Sequence, residues 1–118
     1  MEKSEMSQNV ISIEKVKKKT DSIVKDFNPE KIILFGSIAN GFQNQDSDAD
    51  ILIIIKTNKP TFELGVEIAA YLKHDFPMDI IVKTPEEILK RLELGDYFIQ
   101  NIFNEGITLY ERNTKRMD

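Results

Sequence analysis

Leu34 to Ile55 reads LFGSIANGFQNQDSDADILIII, and this stretch carries the residues that decide the fold. One apolar run ends at the pair Gly36-Ser37, and a second run opens with an Asp-x-Asp pair, Asp48 and Asp50. The first run is rich in β-branched and aromatic residues, as buried strands are. The second is continuously apolar after Asp50, which is typical of a central strand covered on both faces. The stretch therefore predicts two buried strands joined by a turn and a polar loop.

The rest of the chain alternates helices with short apolar strands. Apolar residues at spacings of three and four predict the helices, and short β-branched runs between turn residues predict the strands. The expected elements are a helix from Ser12 to Phe27, strands at Lys31–Phe35, Asp50–Ile55, Met78–Val82 and Ile107–Tyr110, a short helix between Gly36-Ser37 and Gly41, and helices at Pro60–Phe76 and Thr84–Asn104, the last interrupted near Gly95. This order predicts an α/β (α+β) fold, with a small mixed β-sheet and helices packed mainly on one side.

Length and composition bound the class of protein. The 118 residues predict one domain, over 12–112, with a flexible N-terminal segment over 1–11 and a charged tail over 113–118. The net charge of −4 argues against binding nucleic acid by bulk attraction. The chain has no cysteine and one histidine, which excludes disulfides and the common zinc sites. No apolar run approaches the length of a membrane span, and we expect a cytoplasmic protein without a membrane partner.

Three aspartates are candidate metal ligands. Side chains two residues apart on a strand point to the same face, so Asp48 and Asp50 can reach one metal cluster. Magnesium binds through one or two carboxylates together with substrate phosphates. Asp79 begins the next apolar strand and is the candidate for a third carboxylate. If that strand lies beside the strand of Asp50, the three carboxylates converge at one end of the sheet.

Gly36 and Ser37 are candidate phosphate-binding residues. Glycine allows the backbone to approach a phosphate closely. The start of the helix expected after the pair offers backbone N–H groups and the positive end of a dipole. The Ser37 hydroxyl can donate a hydrogen bond to a phosphate oxygen. Together with bound magnesium, these groups would hold a nucleoside triphosphate and leave its α-phosphorus open to attack.

Two other motifs that partly fit are excluded. A calcium loop that began at Asp46 would need glycine and glutamate at its sixth and twelfth positions, where the chain has Ile51 and Thr57. A P-loop that began at Gly36 would need lysine and a hydroxyl residue at 42 and 43, which are Phe and Gln.

The stretch from Gly36 to Asp50 resembles the nucleotidyltransferases of the DNA polymerase β-like superfamily. Their motif is Gly-Ser, a spacer of about ten residues and Asp-x-Asp, with a third aspartate on a later strand. The short chain is similar to the minimal, MNT-type members, and the resemblance covers Lys31 to Arg112. It departs from the commoner Gly-Ser-Arg-Ala-Arg-Gly form, because Ile38 and Asn40 stand where arginines are usual.

The resemblance implies an activity, a cofactor and a partner. Such enzymes move a nucleoside monophosphate, here AMP from ATP, to a hydroxyl, with two Mg²⁺ ions. Asp48, Asp50 and Asp79 match the metal ligands and catalytic carboxylates, and Gly36 and Ser37 match the phosphate-binding turn. MNT proteins are often antitoxins that modify a HEPN-domain toxin, so we expect the acceptor hydroxyl on such a partner protein. Two alternatives stay open: an antitoxin that neutralises its partner by contact alone, and transfer to a small molecule of the aminoglycoside type.

Overall fold

The computed structural model describes residues 11–41, 48–72 and 76–112. Within these ranges helices and strands alternate in nearly the expected order. The elements are α1 (Ile13–Phe27), β1 (Lys31–Phe35), β2 (Ala49–Ile54), α2 (Thr61–Tyr71), β3 (Met78–Lys83), α3 (Pro85–Glu93), α4 (Tyr97–Glu105) and β4 (Ile107–Glu111).

Local hydrogen bonds explain where the helices begin and end. The Ser12 hydroxyl caps α1 by accepting from the backbone N–H of Lys15 at 3.1 Å, and Asn28 ends the helix in the left-handed conformation. A capping box opens α3, in which Thr84 and Glu87 each accept a hydrogen bond from the other's backbone N–H. The interruption expected near Gly95 is confirmed: Gly95 has a positive φ, and the Asp96 carboxylate then caps α4.

Two expected helical segments are shorter than the sequence predicts. The helix α2 ends at Tyr71 rather than at Phe76, and Leu72 has extended backbone angles. The short helix expected before Gly41 is wrong, because 37–41 form only hydrogen-bonded turns. Gly36 and Gly41 both have φ +82°, which leaves too few residues between them for a helix.

The four strands of the described chain form one mixed sheet in the order β3-β2-β1-β4. β2 pairs with β3 in parallel, and β1 pairs with β2 and with β4 in antiparallel fashion. A register shift interrupts the β1–β4 ladder between Ile32 and Ile33. The mixed sheet predicted from the sequence is thus confirmed.

The helices cover both faces of this sheet rather than mainly one. On one face, side chains from α1 and α2 pack on alternate strand residues such as Ile32, Ile51 and Ile53. On the other face, α3 and α4 pack on Ile33, Leu52 and Ile54. The expected one-sided arrangement is wrong in this respect, because β1 and β2 are apolar at successive residues and both of their faces must be kept from water.

The ends of the expected domain are only partly described. Residues 1–10, assigned to a flexible segment, and 113–118, assigned to a charged tail, lie outside the described ranges. Ile11, which the expectation included in the N-terminal segment, is buried in the first core cluster. Within the described residues no helix combines the length and the apolar character needed to cross a bilayer.

Candidate active site

A row of three side chains crosses the sheet where β1 ends and where β2 and β3 begin. Phe35 pairs with Asp50 across the antiparallel ladder, and Asp50 pairs with Asp79 across the parallel one. Alternate residues of a strand share a face, so Asp50 lies on the face of Leu52 and Ile54, which α3 and α4 cover. The structure therefore brings Asp79 beside Asp50, on the neighbouring strand where the sequence places it.

The Asp50 carboxyl group is electrostatically perturbed by this arrangement. Burial, then the charges of Asp79 and Asp48, raise the pKa of Asp50 from 3.8 to about 6, and a side-chain hydrogen bond with Asp79 acts in the same direction. Asp50 is partly buried, whereas Asp48 and Asp79 are both exposed to solvent.

Gly36 lies against the Asp50 carboxylate and could not carry a side chain in this conformation. Its φ is +82°, which residues other than glycine adopt only with strain. A Cβ added to Gly36 would overlap the Oδ2 atom of Asp50 and lie 3.2 Å from its Cγ atom. The glycine of the Gly-Ser pair and the second aspartate of the Asp-x-Asp pair are thus in direct contact, although 13 residues separate them.

The turn after Gly36 differs from the phosphate-binding helix start that the sequence predicts. The Asn40 N–H donates to the Gly36 carbonyl at 3.1 Å, and the Gly41 N–H donates to the Ile38 carbonyl at 3.2 Å. A single turn has no helix dipole of useful size. Ile38 is buried at 1% exposure in the α1–α2 core, whereas Asn40 is exposed and Ser37 is half-buried. The turn is therefore held by an apolar anchor at Ile38.

The carboxylates suit a hard divalent cation by their chemistry, although they are not arranged around one. In the described ranges, no group of three acidic or histidine side chains has the geometry of metal ligands. Carboxylate oxygens are the ligands that Mg²⁺ prefers in proteins. A bound cation would also offset the repulsion between the carboxylates, which adds to the effect of burial in raising the pKa of Asp50. Asp48, Asp50 and Asp79 are the residues that would hold it.

The family of the chain follows from the sequence that surrounds these residues. The model of the polymerase beta nucleotidyltransferase domain matches residues 14–115. The chain belongs to the polymerase beta nucleotidyltransferase family. The matched region contains the Gly-Ser pair, the Asp-x-Asp pair and Asp79, so the expected kinship is confirmed.

Relatives of this nucleotidyltransferase are found in Methanocaldococcus jannaschii. One protein of that organism, named a "Putative protein adenylyltransferase", is 30% identical over 95 residues, which is 80% of this chain and 92% of the relative. A second, with the same description, is 34% identical over 83 residues, covering 69% of this chain and 78% of the relative.

Solved structures show the same fold at lower identity. A crystal structure of a "putative nucleotidyltransferase" from Sulfolobus solfataricus has a TM-score of 0.60 at 19% identity, covering 88% of this chain and 84% of the other. A crystal structure described as a toxin-antitoxin with AMP-PNP has a TM-score of 0.52 at 22% identity, covering 82% and 74%. The α/β nucleotidyltransferase fold expected from the sequence is thereby confirmed.

The nucleotidyltransferase also has a cavity beside Gly36 that the sequence did not reveal. It has a volume of about 210 Å³ and lies between the end of β1, the turn and one side of α4. Phe98 and Ile102 of α4 have the helical spacing that is typical of core residues. This spacing does not indicate that part of α4 borders the site. That position becomes visible only in the structure, where Phe98 packs beside Phe35. Among its lining residues are Phe35, Gly36, Asn40, Phe98, Asn101 and Glu105.

Proposed function

We propose that this chain transfers AMP from ATP to a hydroxyl group of a partner protein, with Asp48, Asp50 and Asp79 as magnesium ligands. The observation that carries the proposal is the contact of Gly36 with Asp50, which in turn contacts Asp79. This contact joins a glycine turn that can approach phosphates to a carboxylate pair that needs a cation. The names of the relatives in M. jannaschii support protein as the acceptor class.

The proposed reaction is an in-line displacement at the α-phosphorus. The acceptor oxygen forms a bond to that phosphorus, and the bond from the phosphorus to the β-phosphate oxygen breaks and releases pyrophosphate. Asp79 is exposed, so it can receive an acceptor group from outside and accept its proton. Gly36 and Ser37 would hold the β- and γ-phosphates. Bound Mg²⁺ would supply neutralisation of charge on the attacking and leaving oxygens.

We propose further that the partner is a HEPN-domain toxin and that the chain is its antitoxin. The resemblance to MNT antitoxins motivates this assignment. The crystal structure described as a toxin-antitoxin with AMP-PNP supports it at the level of the fold. We also propose that the protein acts in the cytoplasm, where ATP is abundant.

The test uses ATP labelled on its α-phosphate, Mg²⁺ and a HEPN-domain protein as the proposed partner. We expect label on the partner with the wild-type chain and none with Asp48→Ala/Asp50→Ala. Asp21→Ala is the matched control, because Asp21 is an exposed aspartate on α1 that pairs with Lys17 over 3.9 Å at the surface. ATP labelled on the γ-phosphate should leave the partner unlabelled, since that phosphate departs with pyrophosphate.

Neutralisation by contact alone is the second candidate function. The buried Ile38 and the uncharged Asn40 favour it, because the turn lacks the arginines that commonly hold phosphates in the family. If no label is transferred and the double aspartate variant still neutralises the toxin, catalysis is excluded and this candidate is correct. A thermal measurement separates the two independently: Mg²⁺ with ATP should raise the melting temperature of the wild type but not of the double variant.

A further inference from the structure

The cavity beside Gly36 is too small for a nucleotide but large enough for one flat ring system. Its volume of about 210 Å³ falls below the roughly 300–1,000 Å³ of pockets that enclose a drug-sized ligand. It opens on the sheet face that carries the carboxylates, since Phe35 lines it and pairs with Asp50. A ligand whose phosphates lie at Asp50 could therefore place a further part here.

Aromatic rings form one wall of the cavity. Phe98 packs edge-to-face on Phe35 with ring centroids 5.6 Å apart. Phe98 is nevertheless 51% exposed, so much of its surface is available to a ligand. Planar bases stack on such rings, with about 1–3 kcal/mol per base measured in nucleic-acid-binding proteins.

Polar side chains border the same space. The Asn101 amide can donate and accept at once, which matches the N6 amino group and the N7 atom of adenine. Asn40 contributes a second amide from the turn. The Glu105 carboxylate only accepts hydrogen bonds when ionised, so it attracts an amino group and repels the carbonyl oxygen that guanine or uracil presents.

We propose that this cavity is the nucleobase subsite and that it selects adenine through Asn101 and Glu105. The inference rests on the proposed function, because it assumes a triphosphate at Asp50 and Gly36. The spacing is suitable: paired residues of antiparallel strands lie about 5 Å apart, and Phe98 lies a further 5.6 Å from Phe35. This separation leaves room for the ribose between the α-phosphate and the base.

The test compares ATP with inorganic tripolyphosphate, which has the phosphates but no base, both in the presence of Mg²⁺. Asn101→Ala should weaken ATP binding about fivefold to tenfold, the value of one or two hydrogen bonds, and leave tripolyphosphate binding within about twofold. Asn104→Ala is the matched control, since Asn104 is an exposed asparagine of α4 that is absent from the cavity lining. Glu105→Gln should reduce the preference for ATP over GTP, because the amide can donate to a carbonyl.

The outcomes separate this inference from the proposed function. If the wild type binds neither ligand, both fail. If it binds both and Asn101→Ala binds ATP as tightly as the wild type, the base lies elsewhere and only the subsite is wrong. A loss of affinity for tripolyphosphate equal to that for ATP would also overturn the subsite, because the substitution would then act through the phosphate turn.

Discussion

Replacing Gly36 by alanine should disrupt the site through Asp50, and the chain provides its own control. Gly36 and Gly41 share the same φ of +82°. A Cβ at Gly36 would overlap the Asp50 carboxylate, whereas a Cβ at Gly41 would have no atom of the described residues within 4 Å. The two Gly→Ala variants therefore carry the same backbone strain and differ in the contact with Asp50.

The expected losses of stability and activity follow from the backbone strain and from the contact with Asp50. The left-handed conformation costs an alanine about 1–2 kcal/mol, and both variants should lose that much stability. Gly36→Ala must also rotate the Asp50 side chain out of its position, which adds roughly 1 kcal/mol. A displacement of about 1 Å in a reacting group lowers rates roughly 100-fold, so Gly36→Ala should lose about that much transfer activity while Gly41→Ala keeps most of it.

Urea unfolding of four proteins isolates the contact with Asp50. The excess destabilisation of Gly36→Ala over Gly41→Ala should vanish when both substitutions are made in an Asp50→Ala background. The new Cβ at position 36 then has no carboxylate to overlap. Equal stability and equal activity of the two single variants would refute the reasoning. So would an excess that persists without the Asp50 carboxylate.

Three further predictions concern charge and capping. Asp50→Asn should stabilise the metal-free protein at pH 7. The pKa of Asp50 is raised from 3.8 to about 6, so ionising this carboxyl group costs the folded state up to about 3 kcal/mol. Solvent screening of the partly exposed side chain reduces that cost to about 1 kcal/mol. Since Asp50 binds its proton more tightly in the folded state than in the unfolded state, the loss of stability appears as the pH rises from 4 to 6. Below pH 3.8, urea titrations should therefore give the Asn variant and the wild type the same free energy of unfolding. Ile38→Arg should destabilise the fold by about 3 kcal/mol or more, because it buries an unpaired charge, whereas Asn40→Arg at its exposed position should leave thermal stability unchanged and strengthen tripolyphosphate binding measured by calorimetry. Thr84→Ala should lower the free energy of unfolding by about 1 kcal/mol through loss of the α3 cap, without altering ATP binding.

Strand positions could be predicted because they depend on local pattern, whereas the meeting of the carboxylates was predicted only on the condition that the strand of Asp79 lies beside that of Asp50. The apolar runs of β1, β2 and β3 stand out from polar surroundings. Each aspartate lies at or just before the first residues of its strand, so adjacency of two parallel strands was enough to bring Asp50 and Asp79 together. The roles of these residues in binding metal and phosphate stay predictions.

The arrangement of the helices and the cavity could not be predicted, because both depend on packing. A continuously apolar strand indicates cover on both faces but does not tell which helix takes which face. Phe98 has the spacing of a core residue, and its half-exposed position against Phe35 arises only when α4 packs beside the end of β1. The short helix expected after Gly36 failed because two glycines of positive φ enclose too few residues.

The contact between Gly36 and Asp50 also constrains how this site can change over evolutionary time. A carboxylate at 50 disfavours any side chain at 36, so Gly36 cannot change freely while Asp50 keeps its function. Once Asp50 is lost, a side chain at 36 no longer meets the carboxylate, and only the strain of the left-handed backbone opposes it. A side chain at the glycine position should therefore mark lineages that have abandoned this carboxylate, even where the Asp-x-Asp region is difficult to align.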